Sequence, residues 1–393
     1  MKILVAAASF ATNISGVQRH ALNLVRCLLA RPEIRSVFIV VAPWQEALIN
    51  AAALPPDPRL TTWVAQMERH SAPRNVWYYR DLPQLARKLQ ADLVHLTCPM
   101  PVNSAAYPCP TVVTLHDLYP CEIPMNFGFP KFIFNRIVLQ QCLQSADAIA
   151  CVSRATQMRL EQYFPGASRR GVRIYNCVEP NEMAGPAVPL SGWRGAPFLL
   201  SIAQHRRNKN LPLLVRTYDR LLRTGQISAA TELIIVGIAG PETSLLHRLV
   251  QEHRLQSRVH FLEGLSEAEL HWCYRQCEAL VAPSITEGFG LPVAEGLLIG
   301  CRIICSDIPA HREIGGDRCT LVRLGDRAEE DLADAIRAAL QRPRPEPIEL
   351  PQFTAPVLGE QYAGLYRDLI AASAKRSAAA PAMVLSAAER RLP

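Results

Sequence analysis

The 393-residue sequence predicts an α/β protein built from two doubly wound, Rossmann-like parallel-sheet domains. Its length exceeds the size at which a single hydrophobic core usually keeps growing, and short apolar runs alternate with helical periodicity along nearly all of it. The stretch from Ala282 to Asp307 shows the unit most clearly, as strand end, glycine loop, helix and strand. Ala279–Ala282 is short enough for a buried parallel strand, and Pro283 closes it because proline cannot continue a central ladder. Gly288 and Gly290 allow the loop positive φ or a close backbone approach to a ligand. Pro292 stands where a first-turn proline is tolerated, so the helix runs from Leu291 to Ile299 with Gly300 as its C-terminal cap. Ile303 and Ile304 begin the next buried strand.

Composition narrows the class. Apolar residues make up 49% and charged residues 20%, which is globular, and no uncharged apolar run reaches the roughly 18 residues of a membrane span. A soluble or peripheral protein is expected. Met1–Phe10 reads as a first strand and not a signal sequence, since its apolar part is short and leads into a glycine loop and an amphipathic helix. Twelve cysteines without a secretory signal suggest reduced thiols in a cytosolic protein. Cys273/Cys277 and Cys301/Cys305 lack the tight spacing of a zinc knuckle, so no metal is expected. Residues 1–190 carry 18 Lys+Arg against 12 Asp+Glu, whereas residues 191–393 carry 24 against 23. The basic first half favours anionic partners, and no nucleic-acid-binding motif accompanies it.

Taken in order, Lys2–Ala8 is a strand, followed by a loop to Gly16 and a helix over His20–Leu29. Val37–Ala42, Leu93–Leu96 and Thr111–Leu115 are further strands, separated by helical segments such as Leu82–Gln90. His116 and Asp117 follow at the carboxyl end of a strand, where an α/β site places titratable groups. Phe127–Leu143 mixes many large apolar residues with Lys131 and Arg136. It suits a core helix with snorkelling cations or a helix lying in a membrane interface. Ala148–Val152 is a strand, and Ser153 caps a helix over Ala155–Tyr163. The Pro- and Gly-rich stretch Asn181–Pro197 reads as an interdomain linker.

The second half opens with a strand at Phe198–Ile202, followed by Arg206, Arg207 and Lys209. Three cations at a strand end suit a diphosphate, through arginine forks and a lysine point charge. Leu213–Leu222, Leu245–His253, Asp331–Leu340 and Gly359–Ala372 are helical, Glu232–Val236 and Val259–Leu262 are strands, and Ser266 with Glu269 forms a capping box. The Ala-rich tail has little to bury and frays or forms a surface helix.

Glu287 on the loop and Glu295 in the helix flank the glycine turn. Glu287-Gly-Phe-Gly-Leu-Pro-Val-Ala-Glu295 resembles the Glu-x7-Glu motif of retaining glycosyltransferases of family 4. Thr114-x-His116-Asp117 and Lys209-Asn210 resemble other segments of that family, and Ser306–Glu313 resembles the loop and helix after the motif. Asn176-Cys177-Val178 resembles the close of its first domain. Cys177 stands for a usual glycine, Ser15-Gly16 for paired glycines, and Gln204 for a usual arginine, so Arg206 or Arg207 would supply that charge.

The resemblance implies the GT-B fold: two Rossmann-like domains facing a cleft, with a last helix crossing back. The corresponding division is an acceptor-binding domain over 1–180, a linker over 181–197, a nucleotide-sugar domain over 198–355, a crossover helix over 356–375 and a tail over 376–393. It also implies a nucleotide-diphosphate sugar as donor and no cofactor. Glu287 would hold the sugar, Glu295 the ribose, and His116 would sit on the sugar's opposite face. Gly16, Arg206, Arg207, Lys209 and the Gly288–Phe289–Gly290–Leu291 turn would face the donor, and Leu262–Gly264 the base. GDP-mannose is the first choice of donor and UDP-glucose the second, by family frequency. The acceptor would be a glycan or a polyprenyl-diphosphate-linked oligosaccharide, handled in the cytoplasm or at the inner membrane face. An epimerase or hydrolase of the same fold, a GT-B pseudoenzyme that only binds, and a Rossmann dehydrogenase are the rival readings. The last lacks its Gly-x-Gly-x-x-Gly.

Overall fold

The computed structural model describes residues 1–9, 15–51, 54, 56–124, 131–178 and 186–389; for 48, 50, 51 and 377–389 it describes the backbone alone. Two all-parallel sheets organise it. The first has seven strands in the order β3-β2-β1-β4-β5-β6-β7: β1 (Lys2–Ala6), β2 (Ser36–Val41), β3 (Leu60–Val64), β4 (Leu93–Leu96), β5 (Thr111–Leu115), β6 (Ala148–Cys151) and β7 (Gly171–Arg173). The second has six, in the order β10-β9-β8-β11-β12-β13: β8 (Phe198–Ile202), β9 (Glu232–Val236), β10 (Val259–Leu262), β11 (Ala279–Ala282), β12 (Ile303–Ser306) and β13 (Thr320–Val322).

The central strands are apolar on both faces because helices cover both faces of each sheet. In β1, Ile3 and Val5 enter one core while Leu4 and Ala6 enter the other. In β8, Leu199 faces one core and Phe198 and Leu200 the opposite one. Period-two alternation therefore feeds two hydrophobic layers per domain.

Three strands had no counterpart in the sequence reading. Leu60–Val64 is half-exposed, and Gly171–Arg173 and Thr320–Val322 are three residues long at sheet edges. Edge strands need no continuous apolar run, so they leave little signal. Leu82–Gln90 proves to be the end of a longer helix, Ser71–Lys88, which accommodates Pro83 in its interior.

The final helix, Ala355–Glu389, begins earlier than Gly359 and its backbone stays helical through the Ala-rich tail. It packs along the Gly16–Leu29 helix and buries Leu358, Tyr362 and Tyr366 in the core of the first domain. Residues 186–197 carry no helix or strand, and the start of the linker, 181–185, lies outside the described residues. So do Phe127 and Phe129. The helix that follows, Lys131–Ser145, is divided: Leu139, Cys142 and Leu143 are buried, whereas Phe134 is 63% and Ile137 57% exposed. Among the described residues no helix is long and apolar enough to cross a membrane.

Candidate active site

Ligands of open parallel sheets bind beyond the carboxyl ends of the strands, where the strand order reverses. Here β1 lies beside β4 in one sheet and β8 beside β11 in the other. The loops after β5, β8 and β11 carry His116, Lys209 and Glu287 to a common cleft between the domains.

The Glu287 loop is built locally. Pro283 ends β11, and the Ile285 amide donates to the Asn208 carbonyl at 2.7 Å, tying this loop to the Lys209 loop. Gly290, at φ +95°, caps the Leu291–Ile299 helix, and Gly300, at φ +72°, ends it. Lys209 Nζ donates to Glu287 Oε1 at 2.6 Å, and Ser284 Oγ donates to the same oxygen at 2.7 Å. Tyr119 OH reaches Glu287 Oε2 at 3.4 Å from the opposite domain. Burial alone would raise the Glu287 carboxyl; Lys209, His311 and the Ser284 hydroxyl outweigh it and hold the group below its usual range. Lys209, Ser284, Glu287, Gly290, Pro292 and His311 line a pocket at this point.

Gly288 explains itself by contact with the other domain. A Cβ built there would lie 1.6 Å from the His116 carbonyl oxygen, so no other residue allows this approach. The Gly288 carbonyl accepts from Ser153 Oγ at 2.5 Å and from Thr156 Oγ1 at 3.1 Å. Ser153 also accepts from the Thr156 amide at 2.9 Å, as the N-cap of the Arg154–Tyr163 helix. Arg159 adds hydrogen bonds to Thr286 Oγ1 at 2.5 Å and to the Glu287 carbonyl at 3.3 Å, and pairs with Glu122 at 2.7 Å.

Glu295 has both oxygens engaged, one by Arg19 Nη1 at 2.8 Å and one by the Tyr274 hydroxyl. Arg19 also reaches Glu267 at 2.6 Å. Burial works against its charge, but the two carboxylates outweigh that and keep it firmly protonated. Where a ribose was expected, the structure thus adds a cross-domain ion pair to the same carboxylate.

Of the two candidate arginines, Arg206 is half-buried and acts electrostatically on Asp117 across the cleft, while Arg207 is exposed. Phe289 turns its side chain away from the cleft, packing against Phe353 at 5.2 Å and Tyr175 at 6.1 Å, so only its backbone is left to face a ligand. Leu291 packs against the second domain's core. Gly16 is the first residue of its helix, behind a capping box of Ser15 and Gln18, and most of its preceding loop, 10–14, lies outside the described residues. Glu263 accepts from the Ala239 amide and so closes over the loop after β9.

His116 donates Nε2–H to the Thr97 carbonyl at 2.8 Å, and its ring stands edge-on to His20 at 4.7 Å. Burial lowers its pKa to about 4, against the pull of the Thr97 carbonyl. Behind it runs a buried chain whose proton positions are dictated from one end. His20 Nδ1 donates to Asn176 Oδ1 at 2.9 Å, so its Nε2, 3.0 Å from Thr114 Oγ1, accepts. Thr114 then accepts from His95 Nε2 at 2.8 Å, and the Tyr366 hydroxyl donates to His95 Nδ1. The crossover helix is joined in this way to the end of the first domain. Burial, then neighbouring His116, lowers His95 to about 3 and holds His20 well below its usual value. Asp117 moves the other way: burial raises it to about 6, although the Tyr119 amide and Arg206 oppose the shift.

Sequence reasoning missed Arg19, Tyr119, Ser284 and Tyr274. Ser284, three residues before Glu287 on the same loop, was the one that spacing offered.

A family model described as Glycosyltransferase Family 4 matches residues 14–182, and one described as Glycosyl transferases group 1 matches residues 192–351. The structure resembles sucrose-phosphate synthase from Thermosynechococcus elongatus, with a TM-score of 0.69 and 17% identity over 95% of this chain and 100% of that one. It also resembles WaaG, a glycosyltransferase involved in lipopolysaccharide biosynthesis, with a TM-score of 0.65 and 17% identity over 95% and 98% of the two chains. In sequence it is 25% identical to the O-antigen chain mannosyltransferase RfbU of Salmonella typhimurium, over 68% of this chain and 71% of that protein. It is 26% identical to O-antigen chain mannosyltransferase B of Escherichia coli, over 58% and 59% of the two. Two parallel-sheet domains closing on a shared cleft define the GT-B fold. Both halves match in the order of the family, and the chain belongs to glycosyltransferase family 4.

Proposed function

We propose that this protein is a retaining hexosyltransferase that moves mannose from GDP-mannose, or as second choice glucose from UDP-glucose, to a glycan or polyprenyl-diphosphate-linked acceptor in polysaccharide assembly. The observation that carries the reading is the Lys209–Glu287 pair in a pocket against the start of the Leu291–Ile299 helix. A nucleotide diphosphate would take the Lys209 ammonium and the charge of Arg206, which oppose the negative charge growing on the departing group. Glu287, relieved of its lysine, would accept hydrogen bonds from sugar hydroxyls while Glu295 holds the ribose. No resident cofactor has a part in this scheme. Front-face attack by the acceptor, with His116 lying over the sugar, would conserve the anomeric configuration. The two O-antigen chain mannosyltransferases it resembles support mannose as the sugar.

The same reading extends to the membrane. Ile133, Phe134 and Ile137 project from the Lys131–Ser145 helix beside Lys131 and Arg136, on the more basic half of the chain. Such a face would hold the enzyme on anionic lipid near its acceptor.

The test is thermal protection of the full chain by GDP-, UDP-, ADP- and dTDP-sugars, beside Lys209→Ala, followed by NMR of the product's anomeric configuration. Protection by one nucleotide class, lost in the variant, and an unchanged anomer are expected. No protection by any of them, or inversion, would overturn the reading.

A further inference from the structure

His311 belongs to the short Pro309–Gly315 helix after β12 and is wholly buried, at 0% exposure. Its two ring nitrogens stand in different surroundings. Nδ1 lies 2.9 Å from the Ser306 carbonyl oxygen and 3.2 Å from Ser306 Oγ. The Ser306 hydroxyl hydrogen is committed to the Ser284 carbonyl, so both Ser306 oxygens are acceptors and Nδ1 carries the proton. Nε2 is buried with no hydrogen-bond partner among the described residues.

His311 lines the pocket, and that unpartnered edge lies against Gly290, another of its lining residues. A Cβ built on Gly290 would stand 3.2 Å from His311 Cδ2 and 3.6 Å from Nε2, so the ring lies directly against the glycine turn that begins the motif helix. The same pocket is lined by Lys209 and Glu287, and not by Glu295. Burial, reinforced by the Lys209 charge, holds the ring neutral against the opposing pull of Glu287 and the Ser306 carbonyl. A neutral ring with its hydrogen on Nδ1 presents a lone pair at Nε2.

A buried acceptor without a donor is destabilising, and a ligand that supplies the donor removes that penalty. The diphosphate of a nucleotide sugar has no hydrogen to give; its sugar hydroxyls do. We propose that His311 Nε2 accepts a hydrogen bond from one hydroxyl of the donor's sugar and makes the pocket reject donors that lack that hydroxyl. The inference rests on the nucleotide-sugar reading above and adds to it a specificity-determining residue outside the Glu-x7-Glu motif. Selection arises because the deoxy donor leaves Nε2 stranded, and sites built for a hydroxyl discriminate far more sharply than apolar ones.

Two isosteric variants separate the ring's roles. His311→Asn keeps a donor where Nδ1 stands and removes the acceptor, whereas His311→Gln places a carbonyl oxygen at the position of Nε2. The measurement is kcat/KM with GDP-mannose, or UDP-glucose if the uridine class protects, and with analogues lacking each sugar hydroxyl in turn. Thermal protection by the nucleoside diphosphate alone is recorded beside it. Wild type and His311→Gln should lose at least about tenfold at one deoxy position. His311→Asn should lose at least about tenfold with the complete donor, show little further loss at that position, and keep its nucleoside diphosphate protection. A wild-type enzyme indifferent to every deletion, or a deoxy penalty equal in wild type and His311→Asn, would overturn the proposal whatever the stability of the variants. Activity that falls as pH rises through the imidazole range, and only while His311 is present, would also overturn it, by assigning an imidazolium to the diphosphate. Absence of nucleoside diphosphate protection in wild type would instead bring down the nucleotide-sugar reading.

Discussion

The two domains place different chemistry behind the same sheet architecture. The first buries neutral polar groups in series, from Tyr366 through His95, Thr114 and His20 to Asn176. The second buries a charge pair, Lys209 and Glu287, with a hydroxyl to complete it. A neutral chain tolerates a low dielectric as long as each proton stays in place, while a charge pair tolerates it as long as both partners remain. The first domain should therefore be vulnerable to acid and the second to deletion of a single charge.

The largest effect expected is that of Lys209→Ala, which should lower kcat/KM by about 10²–10³ through loss of leaving-group stabilisation. It also strands the buried Glu287 carboxylate, at a cost of about 3 kcal/mol measured by denaturant unfolding. Adding Glu287→Gln should recover most of the stability and none of the activity. If the double variant is as unstable as the single one, the pairing account of the second domain is wrong.

Next comes Gly288→Ala, which drives a methyl group into the His116 carbonyl. The domains must part to admit it. A larger radius of gyration by small-angle scattering and an activity loss above about tenfold are expected, because the near-attack geometry depends on closure. An unchanged radius would show that the contact is not one between closing domains.

Acid should then separate the halves. His116, His95 and His20 all have folded pKa values below the ordinary 6.5, so their contribution is complete above that value and is lost as pH falls toward about 4 and 3. Each pKa unit is worth about 1.4 kcal/mol, so across that window His116 withdraws on the order of 3 kcal/mol and His95 on the order of 5 kcal/mol. Tryptophan and backbone signals from variants carrying a single reporter in either domain should show the first domain melting first below about pH 5. Simultaneous loss would contradict the comparison.

The smallest effect sharpens the picture by its opposite sign. Asp117, raised to about 6, contributes stability below 3.8 that is lost as pH rises through 6. Asp117→Asn keeps an acceptor for the Tyr119 amide and should raise stability at pH 7.5 by about 1–2 kcal/mol, with no gain at pH 3.5. A gain of equal size at both pH values would point to packing instead of ionisation.

The parts of the fold legible in the sequence were those punctuated by Pro and Gly within continuous apolar runs. Ala279–Ala282 and Leu291–Ile299 have the bounds that Pro283, Pro292 and Gly300 suggest. Edge strands such as Gly171–Arg173, exposed on one side, carry no such run. The same limit applies to the site. Glu287, Lys209 and His116 stand at strand ends that periodicity locates, but the Arg19–Glu295 pair spans 276 positions, and nothing local to either residue announces the other. His311 is the sharpest case, since only the structure shows which of its nitrogens is already used.

The contacts that hold the domains together differ in kind between their two edges, and this has a mechanical consequence. Around Gly288 the clasp is made of hydroxyls from Ser153 and Thr156 with Arg159, which reaches only neutral oxygens of the other domain, while around Glu295 it is made of the Arg19 guanidinium paired to carboxylates, of which Glu267 is 51% exposed. Dissolved salt screens the exposed Arg19–Glu267 arm and hardly touches the hydroxyl bonds or the buried Arg19–Glu295 pair, with a Debye length of about 8 Å at physiological ionic strength. Raising the ionic strength should therefore weaken the Glu267 arm of the Arg19 side before it affects the Gly288 side, so the two edges of the cleft answer salt unequally.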